Sequence, residues 1–286
     1  MNPASPASRS ETRWGLQLKV ILSMLLVGVV PLMVGLGLAF WQGSREIQVV
    51  NGENFKALAE ETARKIDLLM SDEVARTSQI ATDFSIILEL EQRRDALQSM
   101  TEAEHRRAVE GLKKGWEAKD PAAVQAITGG KVAGLMQEYL SGSKSEADQL
   151  IPQVIRSATK MLSITDIEGN LVAASTTLPP FANQDKAWWK GAFHRGVGQL
   201  FIQNVHFDER AQAYVISISL PIMDRIRYGT VGVLHRVIDA KELISPSISP
   251  IRFCKTGHVM LIDHRGIVMS CPILPTGVPL SDAQLV

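Results

Sequence analysis

MLSITDIEGNLVAAS, residues 161–175, is the stretch on which the reading of this chain turns. Upstream of it the apolar residues recur every three to five positions; here the period drops to two. MLSITD and NLVAAS, joined by Ile-Glu-Gly, predict a β-hairpin. The pattern returns at residues 260–269, MLIDHRGIVM, where Asp263 answers Asp166 and Gly266 answers Gly169, 97 positions on. The first unit continues to Ile238, whereas the sequence stops soon after Gly266. Half a unit cannot bury its sheet face. The second unit is therefore expected to be incomplete, and the chain to be a truncated form of a longer protein.

Downstream of the hairpin, Pro179-Pro180 closes the first segment. DKAWWKGAFHR, residues 185–195, predicts a short helix with Asp185 as its N-cap. Strands are expected over 200–205, 213–220 and 230–238, with turns at Asp208-Glu209-Arg210 and Tyr228-Gly229. The middle strand alternates: Tyr214, Ile216, Ile218 and Leu220 on one face, Val215, Ser217 and Ser219 on the other. Five strands crossed by one helix predict an α+β, antiparallel domain over 161–245, with the second unit starting at 251 and running to 286.

Upstream, VILSMLLVGVVPLMVGLGLAFW, residues 20–41, carries no charge. A helix of about 20 apolar residues spans a bilayer core. Pro31 should kink it, and Trp14 and Trp41 flank it as interfacial rings do. It ends in AFWQGS rather than in a small-residue cleavage site, which favours an uncleaved anchor over a signal peptide. Arg9, Arg13 and Lys19 precede it, so residues 1–19 are expected to be a cytoplasmic tail of an inner-membrane protein, with the remainder periplasmic or extracellular. Residues 44–160 read as mainly helical. No Gly or Pro falls between Gly52 and Gly111, and an apolar stripe runs from Phe55 through Leu58, Thr62, Ile66, Leu69, Val74, Thr77 and Ala81 to Leu88, predicting one helix as far as Leu90. That stripe packs either on its own domain or on a second copy in a homodimeric stalk. Breaks are expected at Asp120-Pro121, Gly129-Gly130 and 141–145. His105, in EAEHRR, reads as a solvated surface residue.

The 286 residues carry 30 basic and 30 acidic side chains, and a net charge of zero argues against a nucleic-acid partner. Cys254 and Cys271 make no disulfide framework; they could pair in an oxidising periplasm, but read rather as two buried free thiols. His194, His206 and His235 fall in one domain without the spacing of a metal site. Asp166, Glu168 and Asn170 imitate the start of a calcium loop, but Leu171 stands where its Gly belongs. Gly129-Gly130-Lys131 lacks the spacing of a phosphate loop, and no HExxH, GxSxG or kinase motif occurs. Neither a cofactor nor an enzymatic activity is expected of these residues.

The anchor, the long helix, ITDIEGNLVAAS, the Trp-Trp helix, AYVISISLPI, GTVGVLHRVIDAKEL and the second hairpin after CKTGH, in that order, resemble the double Cache family of extracytoplasmic sensors. The resemblance covers residues 20–286. It implies a membrane-distal PAS-like domain at 161–245, a membrane-proximal one from 251, and signal transduction by a receptor whose output module, a sensor histidine kinase of a two-component system or a diguanylate cyclase, lies beyond this sequence. A structural anchor that binds nothing is the third alternative. One branch of the family binds free amino acids through spaced Tyr, Arg, Trp and Tyr residues and a later Asp. Here Trp188 matches the Trp, while Phe181, Lys186 and Trp189 stand in place of the first Tyr, the Arg and the second Tyr, and Val237 in place of the Asp. Lys gives a point charge rather than the bidentate fork of Arg, and without the Asp an α-ammonium loses its partner. The resemblance thus implies a small organic anion, held by Lys186 and Trp189 with Asp185 accepting a donor, facing Tyr214, Ser217 and His235. Adjacent helical residues point about 100° apart, so Trp189 is expected in the pocket and Trp188 in the core.

Overall fold

The computed structural model describes residues 15–141, 158–226, 229–248, 250–253 and 257–281. The chain divides into two compact units, Met1–Glu61 and Thr62–Val286. Residues 1–14 of the expected tail, the break at 142–145, Tyr228 and Cys254 lie outside the described residues, while Leu16–Lys19 of that tail belong to the first helix.

In the first unit, α1 (Leu16–Ala81) begins and runs through Pro31 as one helix. Its apolar side chains there are exposed, and it is long and apolar enough to cross a membrane. The last 20 residues of α1 belong to the second unit. Thr62, Glu73, Thr77, Ile80 and Ala81 are buried there, with Ile66, Leu69, Met70 and Val74 packed against apolar residues of the sheet domain. From Thr62 onward the stripe is therefore taken up by its own domain.

The helix does not reach Leu90 unbroken. It stops at Ala81, and Asp83 caps a new helix, α2 (Phe84–Ser99), accepting from the backbone N–H groups of Ser85 and Ile86. An Asp in extended conformation ahead of an apolar run satisfies donors that a continuing helix would have paired with carbonyls. Then come α3 (Glu102–Glu117), opened by a Thr101/Glu104 capping box, α4 (Pro121–Thr128), capped by Asp120 with Pro at its start, and α5 (Lys131–Ser141). The breaks at 120–121 and 129–130 stand where the sequence puts them.

The core is a five-stranded antiparallel sheet in the order β2-β1-β5-β4-β3. The strands are β1 (Thr159–Thr165), β2 (Leu171–Ala174), β3 (Phe201–Asp208), β4 (Ala213–Met223) and β5 (Thr230–Asp239). The α+β expectation holds. Between β2 and β3 lies α6 (Ala187–Phe193), followed by a 3-10 turn at His194–Gly196. After β5 come α7 (Ala240–Ile248), the two-residue pair β6 (Arg252–Phe253) and β7 (Gly257–His258), and a hairpin of β8 (Leu261–Ile262) and β9 (Val268–Ser270). Cys271, just past β9, is half-buried rather than buried.

Strand β5 sits in the middle and is buried on both faces. Because strand side chains alternate, Leu234, Arg236 and Ile238 face α1 and α2, where Leu234 joins Ile80, Ile86 and Leu90, and Ile238 joins Ile66 and Leu69. Each such fully buried aliphatic side chain is worth about 1.5–3 kcal/mol. Val233, His235 and Val237 face the other way, toward α6 and the loop before it. Arg236 reaches α1: its Nη2 lies 2.6 Å from Glu73 Oε2, and its Nε donates to Thr159 Oγ1 at 3.0 Å. Its Nη1 donates to Thr77 Oγ1 at 3.2 Å. Both ions are buried, and neither Glu73 oxygen accepts a well-aligned hydrogen bond. Burial pulls the Arg236 pKa down, and the Glu73 charge opposes that pull.

Candidate ligand-binding site

The loop before α6 is positioned by the first hairpin. Asn183 N donates to Gly169 O at 2.8 Å, and Leu171 N donates to Phe181 O at 2.8 Å, so residues 181–183 lie along β2. Phe181 is buried beside Trp116 and Leu171, and Trp116 Nε1 donates to Pro179 O at 2.9 Å. Residue 181 therefore serves the core of the helical layer rather than a pocket.

From this loop, the start of α6, β3 and the far face of β4 and β5, a cavity of about 330 Å³ is formed. Four of the seven residues singled out from the sequence line it: Lys186, Trp188, Ser217 and His235. Val237 lines it too, at the place of the family's Asp. Asp185, Trp189 and Tyr214 do not. Asp185 is exposed and reaches Lys190 at 3.7 Å, and the N-cap of α6 is Lys186, whose side chain makes no capping bond. Tyr214 packs edge-on to Phe207 on the opposite face of β4, as the alternation of that strand dictates.

The two tryptophans are interchanged relative to expectation. Trp189 is buried, donates from Nε1 to Thr165 Oγ1 at 3.1 Å, and stacks on Phe193 one helical turn on. Trp188 stacks on the His235 imidazole, 3.9 Å between centroids and 10° from parallel. The physical reason lies at Lys186. With φ −72° and ψ 139° it is still extended, so three-residue helical spacing from Lys186 to Trp189 does not place them on one face. It is Trp188 that shares the cavity with Lys186.

His235 is fully buried. Its Nδ1 lies 2.9 Å from Ser219 Oγ, and burial brings its pKa down to about 3, with Asp208 opposing the fall. The ring is neutral at ordinary pH and presents stacking and hydrogen-bonding capacity, not charge, to the cavity. Two buried polar atoms of the lining, Ser217 Oγ and Asn183 Oδ1, have no hydrogen-bond partner among the described residues. Asn183 spends its amide on Pro180 O at 2.9 Å and Phe181 O, and its carbonyl oxygen is left unpaired. Such orphans cost about 1–3 kcal/mol each unless something fills them.

Asn183, Gln203, His206, Asp208 and Arg210 also belong to the lining, and the sequence reading places none of the five there. The sequence marks His206 only as a metal candidate, and Asp208 and Arg210 only as a turn. That turn exists: Asp208 Oδ1 accepts from Arg210 N at 2.8 Å and Ala211 N at 2.9 Å. Arg210 donates from Nη1 to Leu178 O at 2.9 Å. Of the three histidines of this domain, His206 and His235 line the cavity, while His194 lies at the exposed end of α6 in a left-handed conformation.

No family model and no curated protein matches the chain. Among solved structures it is similar to the ligand-binding domain of the Pseudomonas fluorescens chemoreceptor CtaA in complex with L-alanine, at 15% identity and a TM-score of 0.43, covering 77% of this chain and 72% of that one. It is also similar to the ligand-binding domain of the Pseudomonas aeruginosa amino-acid chemoreceptor PctC in complex with GABA, at 16% identity and a TM-score of 0.33, covering 58% and 71%. A third is the Pseudomonas aeruginosa PctB domain with L-Gln, at 15% identity and a TM-score of 0.33, covering 60% and 69%. These likenesses are distant, and the chemistry of the cavity rests on its own lining.

Proposed function

We propose that this chain is the sensory part of a membrane receptor and that the cavity bordered by Lys186, Trp188, Ser217 and His235 binds a small organic carboxylate that also bears a hydrogen-bond donor. The observation that carries the reading is the pair of buried, unpartnered polar atoms, Ser217 Oγ and Asn183 Oδ1, in one cavity with a cation and an aromatic wall. Lys186 answers the carboxylate. Asn183 Oδ1 accepts from a hydroxyl or amine of the ligand, and Ser217 Oγ bonds either end. Trp188, backed by the neutral His235 ring, supplies a rigid apolar face at low entropic cost. Val237 removes the carboxylate at the family's position, Asp208 spends its Oδ1 on the turn N–H groups of Arg210 and Ala211, and Glu209 is exposed, so hydroxy acids are favoured over amino acids. On this reading α1 anchors the receptor with its N-terminus in the cytoplasm and the sheet domain outside, and two copies pair along the helix.

The test is calorimetric titration of the full chain in lipid nanodiscs with lactate, malate, GABA and L-alanine. At least one hydroxy acid should bind more tightly than its amino counterpart. Lys186→Gln and Ser217→Ala should each weaken it by about tenfold, the worth of a charge-assisted or buried hydrogen bond. Binding unaltered in both variants, or no binding by any of the four, overturns the proposal.

A further inference from the structure

A second cavity, of about 280 Å³, lies on the other side of the first hairpin, between α2, the start of α3 and the β1–β2 turn. Its walls are mostly apolar: Leu90, Leu97, Met100, Ile167 and Val231. Among them stands Arg93, whose Nε is buried and donates to nothing among the described residues. The neighbouring charges are already engaged. Arg94 pairs with Asp224 and Asp95. Glu102 holds Arg106 at 2.5 Å. Glu168 Oε2 accepts from Asn170 Nδ2 at 3.2 Å. Asp166 Oδ1 is spent inside the turn, accepting from Glu168 N at 3.0 Å and Asn170 N at 2.8 Å. The sequence leads one to expect a solvated His105. Its Nε2 is instead buried in this lining, 3.5 Å from Glu168 Oε2 and without hydrogen-bond geometry.

We infer that this cavity is a second binding site, taking a small carboxylate with an apolar body. Arg93 lines the chamber with its Nε unpaired and its charge acting on Asp166, and His105 Nε2 stands 3.5 Å from Glu168 Oε2 without a hydrogen bond. A guanidinium is matched geometrically to a carboxylate and pairs with it more strongly than with a neutral acceptor. The aliphatic walls then reward a hydrocarbon or phenyl body with about 25 cal/mol for each Å² removed from water. A metal cation is disfavoured by Arg93 and Arg94. A sugar or a hydroxy acid would leave its hydroxyls facing Leu90, Leu97 and Val231, at the cost of buried polar groups without partners. The site shares no lining residue with the cavity under α6 and stands independently of it.

The probes are phenylacetate and hexanoate, with 2-phenylethanol and hexan-1-ol as their uncharged counterparts, titrated calorimetrically into the full chain in nanodiscs. The acids should bind saturably and more tightly than the alcohols. Arg93→Gln should weaken the acids by about tenfold, the worth of a charge-assisted hydrogen bond, and leave the alcohols unchanged. Leu97→Phe, which fills the chamber from a different wall, should weaken acids and alcohols alike, and Lys186→Gln neither. Equal binding of acids and alcohols, loss of the acids in Lys186→Gln, acid binding that survives both Arg93→Gln and Leu97→Phe, or no saturable binding would each overturn the inference.

Discussion

The two hairpins of this chain close with the same bonds and live in different surroundings. In the first, Gly169 N donates to Asp166 O at 3.1 Å and Asp166 N to Asn170 O at 2.9 Å; in the second, Gly266 N donates to Asp263 O at 3.0 Å and Asp263 N to Ile267 O at 2.9 Å. Asn170 bridges Ala182, and Ile267 bridges Pro279. Both glycines are left-handed, at φ 82° and 75°. The match holds at every one of these positions 97 residues apart. Yet β1 is flanked on both sides by strands, and its last five residues are buried. The second hairpin is a two-stranded sheet, half covered by α7. Local sequence sets the turn; what is laid against it sets its burial.

The largest effect should come from the ion pair beside the first hairpin. Arg236→Met alone leaves Glu73 buried and unpaired and should cost about 3–5 kcal/mol. Glu73→Leu combined with Arg236→Met should recover most of that loss. Hydrogen exchange on the full chain is the readout. In the single variant the amides of β1 should exchange at rates approaching those of β8 and β9, and in the double variant return toward wild type. If the single substitution leaves β1 as protected as before, the pair does not support the hairpin.

A glycine substitution in each unit comes next. At Gly169 an added Cβ meets the Gln184 backbone N at 2.6 Å as well as the left-handed φ. Gly169→Ala should therefore cost more than the roughly 1–2 kcal/mol of conformation alone. At Gly277, φ 89°, the obstacle is the Tyr214 ring, against which the loop of the second hairpin is pressed. Gly277→Ala should loosen β8 and β9 while leaving β1 unchanged in exchange, and Tyr214→Ala should relieve the steric part but not the conformational one. Failure of Tyr214→Ala to give any relief would show that the loop does not rest on that ring.

The smallest effect separates the two aspartates by sign. Burial holds the Asp166 pKa above the usual aspartate value of 3.8, against the two turn N–H bonds and Arg93. The folded state then binds the proton more tightly than the unfolded one, so this group's contribution falls as pH rises from about 4 to its folded pKa. At Asp263 the bond from Ile267 N holds the pKa below 3.8. Its contribution is present above about pH 4 and lost as pH falls through the lower folded value. Taking wild type minus variant for Asp166→Asn and for Asp263→Asn, thermal melts across this range should slope in opposite directions. Equal slopes would mean that burial does not distinguish the two turns.

Much of the fold is open to reading because its signals are local. The period change at residue 161, the repeated Asp and Gly, the cap at Asp120 and the alternation of β4 each lie within a few residues. The stop of α1 at Ala81 is equally local, an Asp83 cap ahead of an apolar run, but lies hidden inside a stretch without Gly or Pro. The candidate sites are less open. Trp188 and Trp189 are neighbours with the same chemistry, and the backbone of Lys186 decides which of them meets the cavity. Asn183 and Arg210 reach it from loops with no periodicity to betray them, and Asp208 from the last position of β3. Glu73 and Arg236 meet across most of the domain, and Arg93 and His105 come from two different helices. No short window of sequence holds any of these pairs.

The alternation of β5 has a consequence for how such a protein can change over time. Val233, His235 and Val237 border α6 and the cavity, and Leu234, Arg236 and Ile238 grip α1 and α2. One strand therefore carries two interleaved vocabularies. Substitutions at Val233, His235 and Val237 can reshape the chamber while Leu234, Arg236 and Ile238 keep their contacts to α1 and α2, and substitutions at those three can retune the grip without altering the chamber. Chamber and grip are free to drift separately, although only one peptide bond divides them.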